Sequence, residues 1–182
     1  MKQVQAELFL LATTDPLTGL YNRRQFFQLA RPVIEQAIRQ KQEVAVLLFD
    51  IDHFKQINDH YSHEVGDQVI IEVANLTRSI LRSSDIICRY GGEEFVALLP
   101  ETNRAAAEVV AERLRQMIEV CVLVHDTQER VAMQVTVSIG VVIGTPRTRN
   151  YLERSLHDAD QAMYRAKQSG RNRVVVVQIE VS

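Results

Sequence analysis

Two acidic segments have the residue types and spacing for chemistry. Phe49-Asp50-Ile51-Asp52 closes an apolar run that begins at Val44, and Gly91-Gly92-Glu93-Glu94 lies between two short apolar runs. Carboxylates at strand ends are held rigidly at the rim of a sheet. Two or three converging there repel one another unless a cation joins them. Mg²⁺ suits such a place, because it takes oxygen ligands and combines one or two carboxylates with substrate phosphates. Each segment alone also has a plainer reading. Asp52 stands where it could cap a following helix, and Gly91-Gly92 is a hairpin turn.

The elements that must hold these acids follow from hydrophobic periodicity. Met1–Ala12 carries Val4, Leu8 and Leu11 on one helical face. It is too short to be stable alone, so it reads as an entry stalk, packed on the domain or paired with a second copy. Asp15-Pro16-Leu17-Thr18-Gly19 is turn chemistry. Arg23 to about Lys41 is helical, with Phe26, Ala30, Ile34 and Ala37 in step, and Val44–Asp50 is a buried strand. A short helix is expected over His53–Tyr61 and a longer one from about Asp67 to Leu81. Ile86–Tyr90 and Glu94–Leu99 read as a hairpin. Ala105–Val120 is helical, Gln134–Ile143 is β-rich, Leu152–Gln168 is a helix stopped at Gly170, and Arg173–Ile179 is a last strand. The pattern predicts an α/β (α+β) domain over residues 15–182, with residues 1–14 a stalk or linker end. Its mixed central sheet has about five strands surrounded by helices.

Composition narrows the function classes. The chain has 182 residues, 46% hydrophobic and 24% charged, which is ordinary for a globular protein and argues against disorder. One domain of this length can bury about 70% of its unfolded surface. The net charge of −2 offers no global basic field for nucleic acid or an anionic membrane, so any phosphate site must be local. Cys88 and Cys121 have neither metal-ligand nor disulfide spacing, which points to a reducing, cytoplasmic compartment. The longest apolar runs are too short to span a bilayer, and the N-terminus lacks the features of a signal peptide. A sensor or membrane anchor preceding this chain in a longer protein remains compatible with all of this. His60 and His63 make an His-x-x-His pair with no further ligands beside it.

The combination of motifs is far more specific than either acidic segment. Arg89-Tyr90-Gly91-Gly92-Glu93-Glu94-Phe95 resembles the signature of GGDEF-type diguanylate cyclase domains, in the variant with Glu at the third position. Residues Asp15-Pro16-Leu17-Thr18-Gly19-Leu20-Tyr21-Asn22-Arg23-Arg24 resemble that family's opening motif. Asp50-Ile51-Asp52-His53-Phe54-Lys55-Gln56-Ile57-Asn58-Asp59 is similar to its metal and phosphate segment, and His63-Glu64-Val65-Gly66-Asp67 to its guanine-side segment. Ser138-Ile139-Gly140, Asp160–Lys167 and Ser169-Gly170-Arg171-Asn172 resemble its closing motifs. All stand in family order and cover about Asp15 to Val177.

The resemblance implies a palm-like fold, similar to nucleotide cyclases and polymerase palms. It also implies condensation of two GTP into cyclic di-GMP with release of two pyrophosphates. Asp50, the Ile51 carbonyl, Glu93 and Glu94 would hold two Mg²⁺ or Mn²⁺ per active site. Glu93 and Glu94 are the catalytic candidates; Glu93 would assist deprotonation or serve as a ligand, and the general base stays open. Asn58 and Asp67 would read guanine through its N–H donors. Their plainer readings are a helix-end residue and a helix N-cap after Gly66.

The His53 and Phe54 amides and Lys55, with Lys167 and Arg171, would contact phosphates, while Gly91 and Gly92 let the backbone approach the nucleotide. Lys167 also suits a helix C-terminus on dipole grounds alone.

Arg82-Ser83-Ser84-Asp85, ending ahead of Gly91, matches the family's inhibitory Arg-x-x-Asp motif. That implies a product site formed by Arg82 and Asp85, with Arg113 completing it and Arg115 as its rival. The plainer reading is a surface ion pair. Ser62 departs from the Gly more usual before this His, with a cost expected if a positive φ is needed there. The implied chemistry needs two sites face to face, hence a homodimer. The alternatives are a non-catalytic receptor for GTP or cyclic di-GMP, and a related cyclase making another dinucleotide.

Overall fold

The computed structural model describes residues 10–121, 123–126 and 129–179. The central sheet has six strands: β1 (Tyr21–Asn22), β2 (Val44–Ile51), β3 (Ile86–Gly91), β4 (Glu94–Leu99), β7 (Val137–Gly144) and β8 (Arg173–Gln178). Their order is β1-β3-β4-β2-β7-β8. The central pairs β3–β4, β4–β2 and β2–β7 are antiparallel, and the outer pairs β1–β3 and β7–β8 are parallel. A separate hairpin pairs β5 (Leu123–Asp126) with β6 (Glu129–Ala132). The mixed α/β architecture expected from sequence is present. β1, too short for a periodic pattern, and the β5–β6 hairpin were not foreseen.

Among the described residues, the helices α1 (Arg23–Gln40), α2 (Phe54–His60), α3 (His63–Ile80), α4 (Arg104–Cys121) and α5 (Tyr151–Gln168) cover the sheet. Alternation along β2 explains the two layers. Ala45, Leu47, Phe49 and Ile51 face a core closed by α3 and α4, with Val69, Val73, Ala111 and Leu114. Val44, Val46 and Leu48 face a second core closed by α1 and α5, with Phe26, Ile34, Leu156 and Met163. Each fully buried side chain of this size contributes about 1.5–3 kcal/mol relative to exposure. Phe49 and Phe95, paired across β2 and β4, stack at 5.2 Å.

Two close approaches fix the helices. A Cβ on Gly140 would run into the Ala159 carbonyl oxygen and the Met163 amide nitrogen, so α5 lies almost backbone-to-backbone on β7. The buried Tyr151 hydroxyl lies within hydrogen-bond distance of the Val44 and Gly144 carbonyls, 3.0 and 3.1 Å away, anchoring the start of α5 to the far end of the sheet.

Three local expectations are corrected. Asp52 does not cap α2; His53 holds the N-cap position at φ 58 with no side-chain cap, because the Asp52 carboxylate is engaged elsewhere. α3 begins at His63 rather than near Asp67, since the Ser62 hydroxyl accepts from the Val65 amide at 3.3 Å and Glu64 suits the first turn. Asp67 is therefore inside a helix and not its cap. Ser62 itself has φ −173, extended backbone that costs a serine nothing.

Candidate active site

The strand alternation that buries Phe49 turns Asp50 to the α1–α5 side. There its Oδ1 meets the Lys167 Nζ at 2.9 Å. Glu94 stands directly opposite Asp50 in the β2–β4 register, an arrangement that is unfavourable for like charges. Burial, with further contributions from Glu93 and Glu94, raises the Asp50 carboxyl to about 6 despite the Lys167 ammonium. Burial also raises Glu94, where Asp160 and Glu93 add repulsion and Lys167 and Arg23 oppose it. Ile51, the last residue of β2, has a buried side chain, so only its backbone is offered to a ligand.

Among the described residues, no group of three or more His, Cys, Asp or Glu side chains converges as a ready metal shell. Glu93 and Glu94 are half-buried at the turn, and the Lys167 ammonium supplies the positive charge at Asp50. The donor set still suits a hard divalent cation: oxygen-only, anionic, and with carboxyls raised by burial and, less, by their acidic neighbours.

The hairpin tip is clamped from a distance. The ladder is irregular between Arg89 and Gly91, and Gly92 has φ +51. Arg89 Nε donates to the Gly92 carbonyl at 2.8 Å, and its Nη1 reaches both Asp15 carboxylate oxygens at 3.3 Å. Asp15 Oδ1 also accepts from the Thr18 amide and hydroxyl at 2.9 and 2.8 Å. The opening turn, read from sequence as a turn and as the start of the opening motif, therefore holds the acidic tip. Its sequence signal was an Asp and an Arg in separate motifs, which gives no hint of contact. The Arg23 guanidinium packs over the Tyr90 ring at 4.4 Å, bracing the other side of the strand.

Past β2, Phe54 packs its ring against the core while His53 and Lys55 are exposed. The Asn58 Oδ1 is buried with no hydrogen-bond partner in the described structure. Gly66 makes room for it, since a Cβ there would collide with that oxygen. An unpaired buried acceptor costs about 1–3 kcal/mol. Such a group is a natural point for a ligand donor, and exposed Asp67 follows Gly66 on the same helix.

Lys167 and Arg171 are set by the α5–β8 turn. Gly170, Arg171 and Asn172 all have positive φ, at +113, +62 and +46. For the two non-glycine residues, left-handed backbone costs about 1–2 kcal/mol each. Asn172 is held at three polar groups: its backbone amide donates to Asp52 Oδ2 at 3.0 Å, its Oδ1 accepts from Arg115 at 2.7 Å, and its Nδ2 donates to Glu119 at 2.9 Å. Asp52, 4% exposed, also accepts from the Thr136 hydroxyl at 2.8 Å and the Ser138 hydroxyl at 2.7 Å. Sequence reasoning missed this network entirely.

Away from the rim, Asp85 and Arg82 close a small ring. Asp85 Oδ2 accepts from the Arg82 amide at 2.8 Å, and the Asp85 amide donates to the Arg82 carbonyl at 3.0 Å. Burial raises the Asp85 carboxyl. The Arg82 side chain is exposed and lines a depression of about 470 Å³ with Asp85, Arg78 and Tyr21. Arg113 is exposed on α4 and lines a different shallow depression with Glu108 and Glu112. Arg115 is engaged by Glu112, Glu119 and Asn172.

Comparison with known proteins gives the lineage. The family model described as "Diguanylate cyclase, GGDEF domain" matches residues 12–173. The chain belongs to the GGDEF diguanylate cyclase family. It is 41% identical over 167 residues to the probable diguanylate cyclase DgcT of Escherichia coli, covering 91% of this chain and 36% of that protein. It is 42% identical over 167 residues to the response regulator PleD of Caulobacter vibrioides, covering 91% and 36%. The chain thus spans little more than a third of the length of these two curated relatives. The coiled coil and GGDEF domain of DgcB from Caulobacter crescentus, in complex with c-di-GMP, superposes with a TM-score of 0.87 at 29% identity. That match covers 97% of this chain and 91% of the other. The active GGEEF domain of a diguanylate cyclase from Vibrio cholerae gives 0.75 at 30% identity, covering 87% and 98%. This GGDEF domain keeps the mixed sheet and rim carboxylates, and no helix among its described residues is long and apolar enough to cross a membrane.

Proposed function

We propose that this GGDEF domain is an active diguanylate cyclase, joining two GTP molecules into cyclic di-GMP. The observation that carries the reading is the strained acidic rim, where Asp50 is raised to about 6 beside Glu93, Glu94 and the Lys167 ammonium. A buried carboxylate with acidic neighbours is costly to keep charged, and a bound cation offsets that cost. Asp50, the Ile51 carbonyl, Glu93 and Glu94 would hold two Mg²⁺ or Mn²⁺ per site, which would supply neutralisation of the triphosphate and acidification of the attacking hydroxyl.

The residues of the chain do the rest. Lys55, Lys167 and Arg171, with the His53 and Phe54 amides, bind the β and γ phosphates and orient the α-phosphate. Asn58 Oδ1, orphaned in its pocket, accepts from guanine, and Asp67 accepts from the remaining N–H donors. Adenine lacks that donor pair, so GTP is preferred over ATP. Gly91 and Gly92, with open space around both, let the tip approach the ribose. Glu93, at the half-buried tip, is the group assigned to help the attacking hydroxyl lose its proton.

Each 3′-hydroxyl oxygen bonds to the α-phosphorus of the other GTP, the bond to the bridging oxygen breaks, and pyrophosphate leaves. Two such transfers close the ring, which requires two domains face to face. The exposed Leu10 and Leu11, 56% and 67% accessible, suit pairing of the entry segment with a second copy. The depression lined by Arg82 and Asp85 is the feedback site for cyclic di-GMP, and Arg113, which lines a separate depression, is left out of it.

The test is incubation of the purified chain with GTP and Mg²⁺ at several protein concentrations, with the product identified by chromatography and mass. Cyclic di-GMP formed at a rate steeper than linear in protein supports the dimeric cyclase. Nucleotide binding without any product overturns it in favour of a receptor domain.

A further inference from the structure

The acid that carries no strain is the informative one. Asp52 is 4% exposed, and its two oxygens accept three hydrogen bonds, from Ser138, Thr136 and the Asn172 amide. Three of the roughly four acceptor positions of the carboxylate are taken within the fold, so Asp52 is tied into the structure rather than offered as a ligand, despite standing two residues from Asp50. Its backbone amide donates to the Thr136 carbonyl at 2.8 Å, which locks the chain just before His53. One side chain therefore ties together the exit of β2, the entry of β7 and the turn between α5 and β8. That turn carries Arg171 between Gly170 and Asn172, all left-handed. A left-handed run containing two non-glycine residues relaxes unless it is held. Asp52 holds it from one side, and Arg115 and Glu119 of α4 hold it from the other through the Asn172 amide group.

We infer that Asp52 is a positioning residue for the triphosphate: through Asn172 it fixes the turn that aims Arg171 and ends the helix bearing Lys167. The inference rests on the cyclase reading for the identity of the ligand, and its test separates the two. Asp52 touches no substrate and acts only through the phosphate-facing cations. Its loss should therefore weaken recognition of the β and γ phosphates while leaving guanine recognition at Asn58 unchanged.

The experiment compares equilibrium binding of GTP and of GMP to the purified chain in Mg²⁺, alongside KM and kcat for GTP. In Asp52→Ala, GTP affinity should fall at least tenfold and KM should rise in parallel, with GMP affinity within twofold. Asp52→Asn, which keeps one acceptor oxygen for the Asn172 amide, should recover most of the loss. If Asp52→Ala does not fold, Thr136→Val with Ser138→Ala strips the two hydroxyl donors that seat the Asp52 carboxylate under the Asn172 amide. It should show the same selective loss of GTP over GMP. An unchanged GTP-to-GMP ratio in a folded variant overturns the inference, as does an equal fall for both nucleotides. Should the unaltered chain make no cyclic di-GMP, the cyclase reading falls, while the GTP-to-GMP ratio in the variants still decides the role of Asp52. Should the unaltered chain bind GTP no better than GMP, the turn serves no phosphate and the inference falls with it.

Discussion

Asp50 and Asp52 leave the same strand two residues apart and meet opposite surroundings. Asp52 accepts from three neutral donors and knits three segments together. Asp50 faces Glu94 across the ladder, has one cationic partner, and is raised to about 6. The first arrangement spends a carboxylate on the fold. The second leaves carboxylates under-compensated where a cation and a polyphosphate can complete them. The lesson is that burial alone does not separate a working acid from a structural one, since both are under a tenth exposed. The number of donors already satisfied does.

The contrast can be broken most decisively at the tip. Glu93→Gln keeps size and hydrogen bonding but removes a charge from the under-compensated set. Turnover should fall by roughly a hundredfold or more, the scale of several kcal/mol of lost charge stabilisation, with circular dichroism unchanged. Retained activity would remove Glu93 from the mechanism.

Stability should respond in opposite senses at the two acids. For Asp50 the ordinary carboxyl value is 3.8 and the folded value about 6, so the folded chain holds this proton more tightly. The stability it contributes is greatest below pH 3.8 and is lost as pH rises to about 6. Asp50→Asn removes that dependence. In chelator at pH 7–8 the variant should be more stable than the unaltered chain by on the order of 2 kcal/mol, with the gap closing as pH falls through that window. Mg²⁺ with GTP should then stabilise the unaltered chain and not the variant. Ser138→Ala, by contrast, strips one donor from Asp52 and should cost about 1–3 kcal/mol in urea unfolding. A gain in stability there, or no change, would break the distinction.

The smallest expected effect on basal activity lies outside both acids. Arg82→Ala should raise the cyclic di-GMP concentration needed for half-inhibition by roughly tenfold or more, leaving the initial rate unchanged. Unchanged inhibition would remove the Arg82–Asp85 depression from regulation.

Much of this was legible in the residues. The apolar run ending at Asp50, the Gly-Gly pair and the 3.6-residue periodicity of α1, α4 and α5 are local signals, and each element lies within a few residues of its expected bounds. Asp52 was misjudged because capping is a local pattern, whereas its actual partners stand 84, 86 and 120 residues away. The start of α3 was misjudged because Gly66 resembles a helix breaker. Here it is a helical residue kept small for the Asn58 side chain. The clamp of Arg89 on Asp15 spans 74 residues and has no local trace. Long-range polar contacts, unlike hydrophobic periodicity, leave no repeat to read.

Gly140 has no part in binding anything, yet it sets a distance that does. With no side chain between β7 and α5, the helix rests at the least separation that two backbones permit. An added methyl would act as a shim under the middle of the helix. Lys167, near the end of the same rigid rod, would be lifted with it and drawn back from Asp50. The spacing of two opposite charges at the rim is thus calibrated by an uncharged residue inside the molecule. A graded series of larger side chains at that point would tune nucleotide turnover as a thickness gauge tunes a gap.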